Sequence, residues 1–341
     1  MRHPRTHLLR LGALVATAAL TTTLVPTAGS ATAATGAPAD RAATPVKIRP
    51  DKLARGADQA GAHIEGSTLV DGAVRIDIGT AQPELLGRAG ADYLVQARDD
   101  QGLGAVLRIT PAGARTTVVV PSRRGDFPVA STDGSLVAQA VFKNGSRKTK
   151  IRVWSTTGGA PVASKTYPGL ATVLDLDAKR AVVAGSSDTT SWTLSSGLVR
   201  KVVARGGYLA DIANDRLATF DGDPYDGGCT VVSSLSKPGT ALWRSCDVRV
   251  EAFAPGGRRA ATVDLLADGI GPSVVFVLGN RGKRMSTYGV RGYFGPLSWE
   301  TKTALLLPSY ARVQSAVVRC TGSTCERASE LAPTPELRPR S

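Results

Sequence analysis

Seven times along the chain, a short run rich in apolar and β-branched residues meets a glycine, and a second such run follows. The runs are 73–78 with Gly79, 105–109 with Gly113, 151–155 with Gly158, 191–194 with Gly197, 230–235 with Gly239, 274–278 with Gly282 and 315–320 with Gly322. Successive glycines lie 34, 45, 39, 42, 43 and 40 residues apart. A second marker, turn residues leading into a strand-like run, precedes each hairpin. It reads Asp133-Gly134 before 135–138, Asn214-Asp215 before 216–219 and Pro255-Gly256-Gly257 before 258–262, and it shrinks to 67–70 in the first unit. Helix signals are almost absent.

A period near 40 residues with room for four short strands constrains the fold strongly. One four-stranded sheet cannot bury both its faces alone, so such units stack radially and cover one another, and ring closure leaves only short edges. The sequence therefore predicts an all-β chain, a β-propeller of seven four-stranded blades. Six blades, or two packed β-sandwiches, are the other arrangements open to the same strands. The short first unit predicts closure between the chain ends, with a strand from 331–337 completing the first blade.

The propeller is expected over 63–337, with 338–341 as a tail. Residues 1–33 read as a secretory signal peptide. Arg2, Arg5 and Arg10 precede an uncharged apolar run over 11–24, and small residues end in Ala31-Thr32-Ala33. Residues 34–62, rich in Ala, Gly, Asp and Pro, read as a disordered leader, with 44–48 able to pair as a short strand. No later stretch reaches membrane-spanning length, so a soluble, secreted monomer is expected.

Four cysteines in an exported chain imply two disulfides. Cys229 and Cys246 are centred on Ser236-Lys237-Pro238-Gly239, and Cys320 and Cys325 on Thr321-Gly322-Ser323-Thr324. Each pair is thus symmetric about a hairpin turn, which favours Cys229–Cys246 and Cys320–Cys325. Four thiolates on two distant hairpins, without a nearby His, do not suit zinc.

The run Phe253-Ala254-Pro255-Gly256-Gly257-Arg258-Arg259-Ala260-Ala261 resembles the strand–Ser–Pro–Asp–Gly–Lys–strand repeat of TolB-like propellers, which are related loosely to WD40 repeats. Asp133-Gly134 is similar. Gly256 stands where that family has Asp, and the chain has neither the Trp-Asp dipeptide nor the Gly-His pair of WD40 repeats. The resemblance implies the fold and transfers no catalytic residue.

Catalytic motifs are scarce. Only His63 remains beyond the signal peptide, and neither Gly-x-Ser-x-Gly nor His-Glu-x-x-His occurs. Two-carboxylate glycosidase chemistry needs no His, so a carbohydrate-active enzyme with paired acids in the propeller funnel is the alternative function. The favoured one is a non-catalytic binding or scaffolding module for a protein or an anionic cell-envelope polymer. The formal charge of +14 suits such a polymer; a nucleic-acid partner is not expected of an exported chain without a stacking platform.

In a propeller, loops between second and third strands share one face with the inter-blade loops. Lys143, Arg147, Lys148 and Lys150, with Tyr208, Tyr225 and Tyr293, are the binding candidates on that face, joined by Arg123-Arg124. No cofactor is expected beyond calcium, which Asp221, Asp223 and Asp226 in a glycine-rich loop are suited to hold through oxygen.

Overall fold

The computed structural model describes residues 45–80, 83–99, 102–122, 128–143, 145 and 147–335. The signal segment, Arg123-Arg124 and the tail lie outside them. Seven antiparallel sheets follow one another along the chain, as the repeat predicts. Strand β1 (Val46–Ile48) lies in the leader, and β2 (His63–Glu65), β3 (Thr68–Asp71) and β4 (Val74–Asp77) form blade I. Blades II to VII occupy 84–122, 129–168, 171–203, 207–245, 248–290 and 292–333.

Burial explains why the second strands read as nearly continuous apolar runs. Tyr93–Ala97, Ala181–Ala184 and Ala260–Val263 are buried residue by residue, because a neighbouring blade covers each face of the sheet. Outer strands have one wet face and alternate instead, as Ala163–Pro168 does.

One apolar cluster fills each of six successive interfaces. Leu69 and Ile76 of blade I meet Tyr93 and Val95 of blade II. Val137 and Trp154 meet Leu94 and Val119, Trp192 meets Ile151 and Val153, and Val182 meets Leu217 and Leu235. Trp243 and Val232 meet Val250 and Leu278, and Tyr288 and Val263 meet Phe294 and Leu305. Each such side chain contributes about 1.5–3 kcal/mol. No cluster joins blade VII to blade I among the described residues.

Blade I has three strands, ordered β2-β3-β4, and the missing one can be identified. The outer hairpin turn of each blade sits over the outermost strand of the blade before it. Lys165 of blade III donates to the Gly197 carbonyl (2.8 Å), and Tyr288 of blade VI donates to the Gly322 carbonyl (2.7 Å). A Cβ at Gly282 would approach Trp243 of blade V to 2.9 Å. At the corresponding turn of blade II, Arg115 donates to the carbonyls of Asp77 and Ile78. The strand β4 is therefore outermost, and the vacant place is the innermost, beside β2.

Closure differs from the expected C-terminal strand. The third strand of blade VII, Gln314–Thr321, is eight residues long, and Thr324–Arg327 pairs only with its second half. Ala332–Pro333 pairs with Gln314 and Ser315 at the other end, so this stretch extends blade VII and does not reach blade I. The leader is also ordered from residue 46 onward, where a disordered segment was expected. The strand β1 adds in parallel to Arg284–Val290 as a fifth strand of blade VI. A 3-10 turn, Pro50–Lys52, follows. The chain then runs beside blade VII: Gly56 N–H donates to the Arg327 carbonyl (2.9 Å), Arg327 N–H to the Ala54 carbonyl (2.8 Å) and Gln59 N–H to the Ala328 carbonyl (3.0 Å). Sheet edges satisfy the leader's backbone, which its composition could not reveal.

Candidate functional site

Both expected disulfides form, Cys229–Cys246 and Cys320–Cys325. The first closes the Asp-rich loop. Gly228 packs so closely on Gly222 that a Cβ there would meet its carbonyl at 2.2 Å, which explains the glycines. Asp221 accepts from Arg244 (2.6 Å) and from Cys229 N–H (2.8 Å), and Arg244 first, then that N–H, hold its carboxyl below the usual carboxylate range. Asp223 caps the 3-10 turn Pro224–Asp226 by accepting from Tyr225 N–H. The carboxylates of Asp221 and Asp223 thus hold the loop itself, and Arg244 supplies a countercharge. No group of three metal-ligating side chains converges among the described residues.

The binding candidates do not come together. Arg147, Lys148 and Lys150 lie on the hairpin of blade III, with Lys143 in register opposite Lys148. None of the first three has a salt bridge among the described residues, so the hairpin tip stays cationic. Tyr225, 72% exposed, sits on blade V. Tyr293 of blade VII stacks on Tyr310 at 4.8 Å. Tyr208 is a correction. It stacks on Phe220 at 4.2 Å, its hydroxyl meets Thr230 Oγ1, and it accepts from Val250 N–H (3.0 Å) of the next blade. Burial pushes its hydroxyl up to about 12. It acts as an inter-blade strut, half-buried between blades V and VI.

Acids on inner strands are similarly engaged. Asp175 is pushed up by burial, although the N–H groups of Ile212 (2.5 Å) and Leu176 (2.7 Å) oppose the shift. Its neighbour Asp211 accepts from Asn214 N–H and Nδ2. Glu251 pairs with Arg249 at 2.9 Å. These carboxylates fix turns and strands of blades IV to VI.

A sizeable cavity lies where the sequence marked no site. About 560 Å³ opens between blades VII and I, bounded by β2, by Pro308–Tyr310 and Ser315–Val317, and by the leader. It occupies the interface that lacks an apolar cluster and reaches every residue of β2. Its arginines are already paired. Arg55 pairs with Asp58 and with Glu330 (2.9 Å), Arg75 pairs with Glu65 (2.9 Å), and His63 bridges the Gly61 carbonyl and Glu65. Burial raises the Glu65 carboxyl, but Arg75 and His63 outweigh it and hold the group below its usual range. The one available sequence signal was the shortness of the first repeat.

A second groove, about 290 Å³, lies beside β1 at the outer rim of blade VI. Lys47, Arg49 and Arg291 line it over Ile48, Val274 and Val290, with no carboxylate in its wall.

No family model matches the chain, and no curated protein does. Among solved structures, it is similar to acylaminoacyl peptidase from Pyrococcus horikoshii, at 8% identity and a TM-score of 0.56, over 77% of this chain and 47% of that one. It is also similar to a prolyl endopeptidase, at 14% identity and a TM-score of 0.53, over 74% and 43%. A third similarity is to the β-propeller domain of the Trilobed protease from Pyrococcus furiosus, at 10% identity and a TM-score of 0.46, over 82% and 86%. The chain spans about half the length of the first two. At such identities the first two likenesses show a shared fold and nothing about activity.

Proposed function

We propose that this chain is an exported, non-catalytic propeller that binds a protein partner in the cavity between blades VII and I. One observation carries this reading: six interfaces are sealed by apolar clusters, and the seventh has a cavity of about 560 Å³ whose cations are already paired. That volume falls within the roughly 300–1,000 Å³ of ordinary binding sites. A polyanion gains little where each arginine already has a carboxylate, because binding would first break those pairs. A peptide offers apolar side chains and backbone groups to the mixed wall of Ile64, Val317 and Tyr310. The engagement of Asp175, Asp211 and Glu251 in structural bonds supports a binder over a two-carboxylate hydrolase.

The test is capture of proteins from a cell-envelope extract on the immobilised mature chain, compared with Ala332→Trp. Ala332 is exposed and lines the cavity, so an indole there fills the site at little structural cost. Loss of the captured protein with an unchanged melting temperature is expected. Equal capture by the variant moves the site elsewhere.

The groove of Lys47, Arg49 and Arg291 favours a second reading, attachment to an anionic envelope polymer. Retention on insoluble cell wall that falls with salt, and that charge reversal at these three residues abolishes, would support it; retention unchanged by that reversal would remove it.

A further inference from the structure

The geometry points to a defined binding mode: the cavity accepts an extended, lysine- or arginine-bearing segment of a partner protein as a strand along the open edge of β2, completing blade I. This inference rests on the protein-binding reading and specifies its ligand.

The open edge follows from the turn. Gly66, at φ 61, and Ser67 form a two-residue hairpin between Glu65 and Thr68, which face each other in register. In such a hairpin the closing pair exchanges both hydrogen bonds, and hydrogen-bonded pairs then alternate along the ladder. Glu65 and His63 therefore bond to β3, whereas the N–H and C=O of Ile64 point to the opposite side. The same alternation runs across β3, where the Ser67 carbonyl accepts from Ile78 N–H at 2.8 Å on the side facing β4. No described strand pairs with the far edge of β2. An unpaired edge that backs onto a cavity is a template for strand addition.

The size and wall of the cavity suit a strand. Innermost strands in blades II, IV, V and VI have five or six residues. The second and third strands of blade VII contribute Pro308–Tyr310 and Ser315–Val317 to the wall. Elsewhere the second strand packs on the next blade's innermost strand, as Ala138 and Ala140 do on Ala171 and Val173. An added strand would alternate its side chains between this wall of blade VII and the face of blade II.

Charge selects the segment. The chain as a whole carries +14, yet the mouth of this cavity is acidic. Asp58 and Glu330 expose 78% and 83% of their side chains, and both share the single Arg55. Glu65 stands beside Arg75. Three carboxylates against two arginines leave a local excess of acid, which favours basic side chains at alternate positions of an incoming strand.

The experiment uses the full mature chain and an acetylated, amidated heptapeptide of alternating lysine and valine. Its glutamate–valine analogue and a copy N-methylated on alternate residues serve as controls. Binding is read by fluorescence anisotropy, and strand pairing by hydrogen exchange at the Ile64 amide. The expected result is saturable binding of the lysine peptide with slower exchange at Ile64, and loss of both with the N-methylated peptide. Ile64→Pro removes the edge N–H and weakens binding about tenfold. Ile64→Ala keeps the N–H and stays within a few fold, which separates the ladder from loss of packing. Binding without protection at Ile64, or equal binding by the glutamate peptide, overturns the strand mode or the charge selection. Failure of the heptapeptide while Ala332→Trp still abolishes capture of the partner overturns this inference and leaves the protein-binding reading standing. Binding that appears only after removal of residues 336–341 makes the chain's own tail the occupant, and overturns the inference as well.

Discussion

At the residue scale, similar side chains acquire different roles from what surrounds them. Tyr208 and Tyr225 look equivalent in the sequence, as aromatics on the loop-bearing face. The structure half-buries one between blades and leaves the other in solvent. Tyr208→Phe keeps the ring stack but leaves the Val250 N–H without its partner in a buried setting, at a cost of about 1–3 kcal/mol. Urea unfolding should show that loss, with peptide binding at the cavity unchanged. A loss below a few tenths would mean that the hydroxyl does not act as a strut. The hairpin glycine Gly134, at φ 70, was visible as a turn signal. That a Cβ there would run into the Arg88 carbonyl of the preceding blade, at 1.7 Å, depends on blade packing and left no mark in the sequence.

At the element scale, hairpins and their staples were the most legible features, because every contact that defines them is local. Cys229 and Cys246 lie 17 positions apart and Cys320 and Cys325 only 5. By loop-closure entropy, replacing the first pair with serine should cost about 3 kcal/mol and the second about 2 kcal/mol. Chemical denaturation of the two double mutants should rank them in that order, and the reverse order would assign the stability to the tight Thr321–Thr324 hairpin.

The leader is held by an element-level device with a predictable pH response. Arg319 donates to Glu300 and Glu326 and to the carbonyls of Ala57 and Asp58, while Glu300 accepts from Ala60 N–H. Arg319 holds the Glu300 carboxyl below its usual range, although burial pulls the other way. A folded value below the unfolded one, near 4.3, stabilises the fold fully above about pH 4.3, and the contribution is lost as pH falls through the folded value. Residues 54–60 should therefore gain protease sensitivity below about pH 4 before the blades do. Glu300→Gln should show the same sensitivity already at pH 7; resistance in that variant would mean that backbone pairing alone holds the leader.

At the scale of the whole molecule, the ring has one weak interface, and the leader spans it. The strand β1 sits on blade VI, the following residues sit on blade VII, and β2 belongs to blade I. Removing residues 1–44 should leave the melting temperature unchanged, whereas removing 1–60 should lower it and speed hydrogen exchange in blade I well before blade IV. Uniform exchange across the blades after the longer deletion would show that the seam is no weaker than the other interfaces. The comparisons support the fold at this scale and stop there: peptidases that share the shape at 8–14% identity lend it no chemistry.

By itself the sequence determined the strands, their turns, the seven-unit period and the pairing of the cysteines. Each is written in residues that meet within one hairpin or one repeat, where side-chain period and turn chemistry speak directly. Only the tertiary structure decided which strand of the first blade is absent, where the leader goes and which charges meet. Arg55 finds Glu330 across 275 positions, and Gly56 finds the carbonyl of Arg327. Backbone hydrogen bonds of that kind use atoms that every residue has, so no local pattern specifies them. They follow from the requirement that a ring of sheets leave its last edge covered, and the cavity beside β2 is the part of that edge still open.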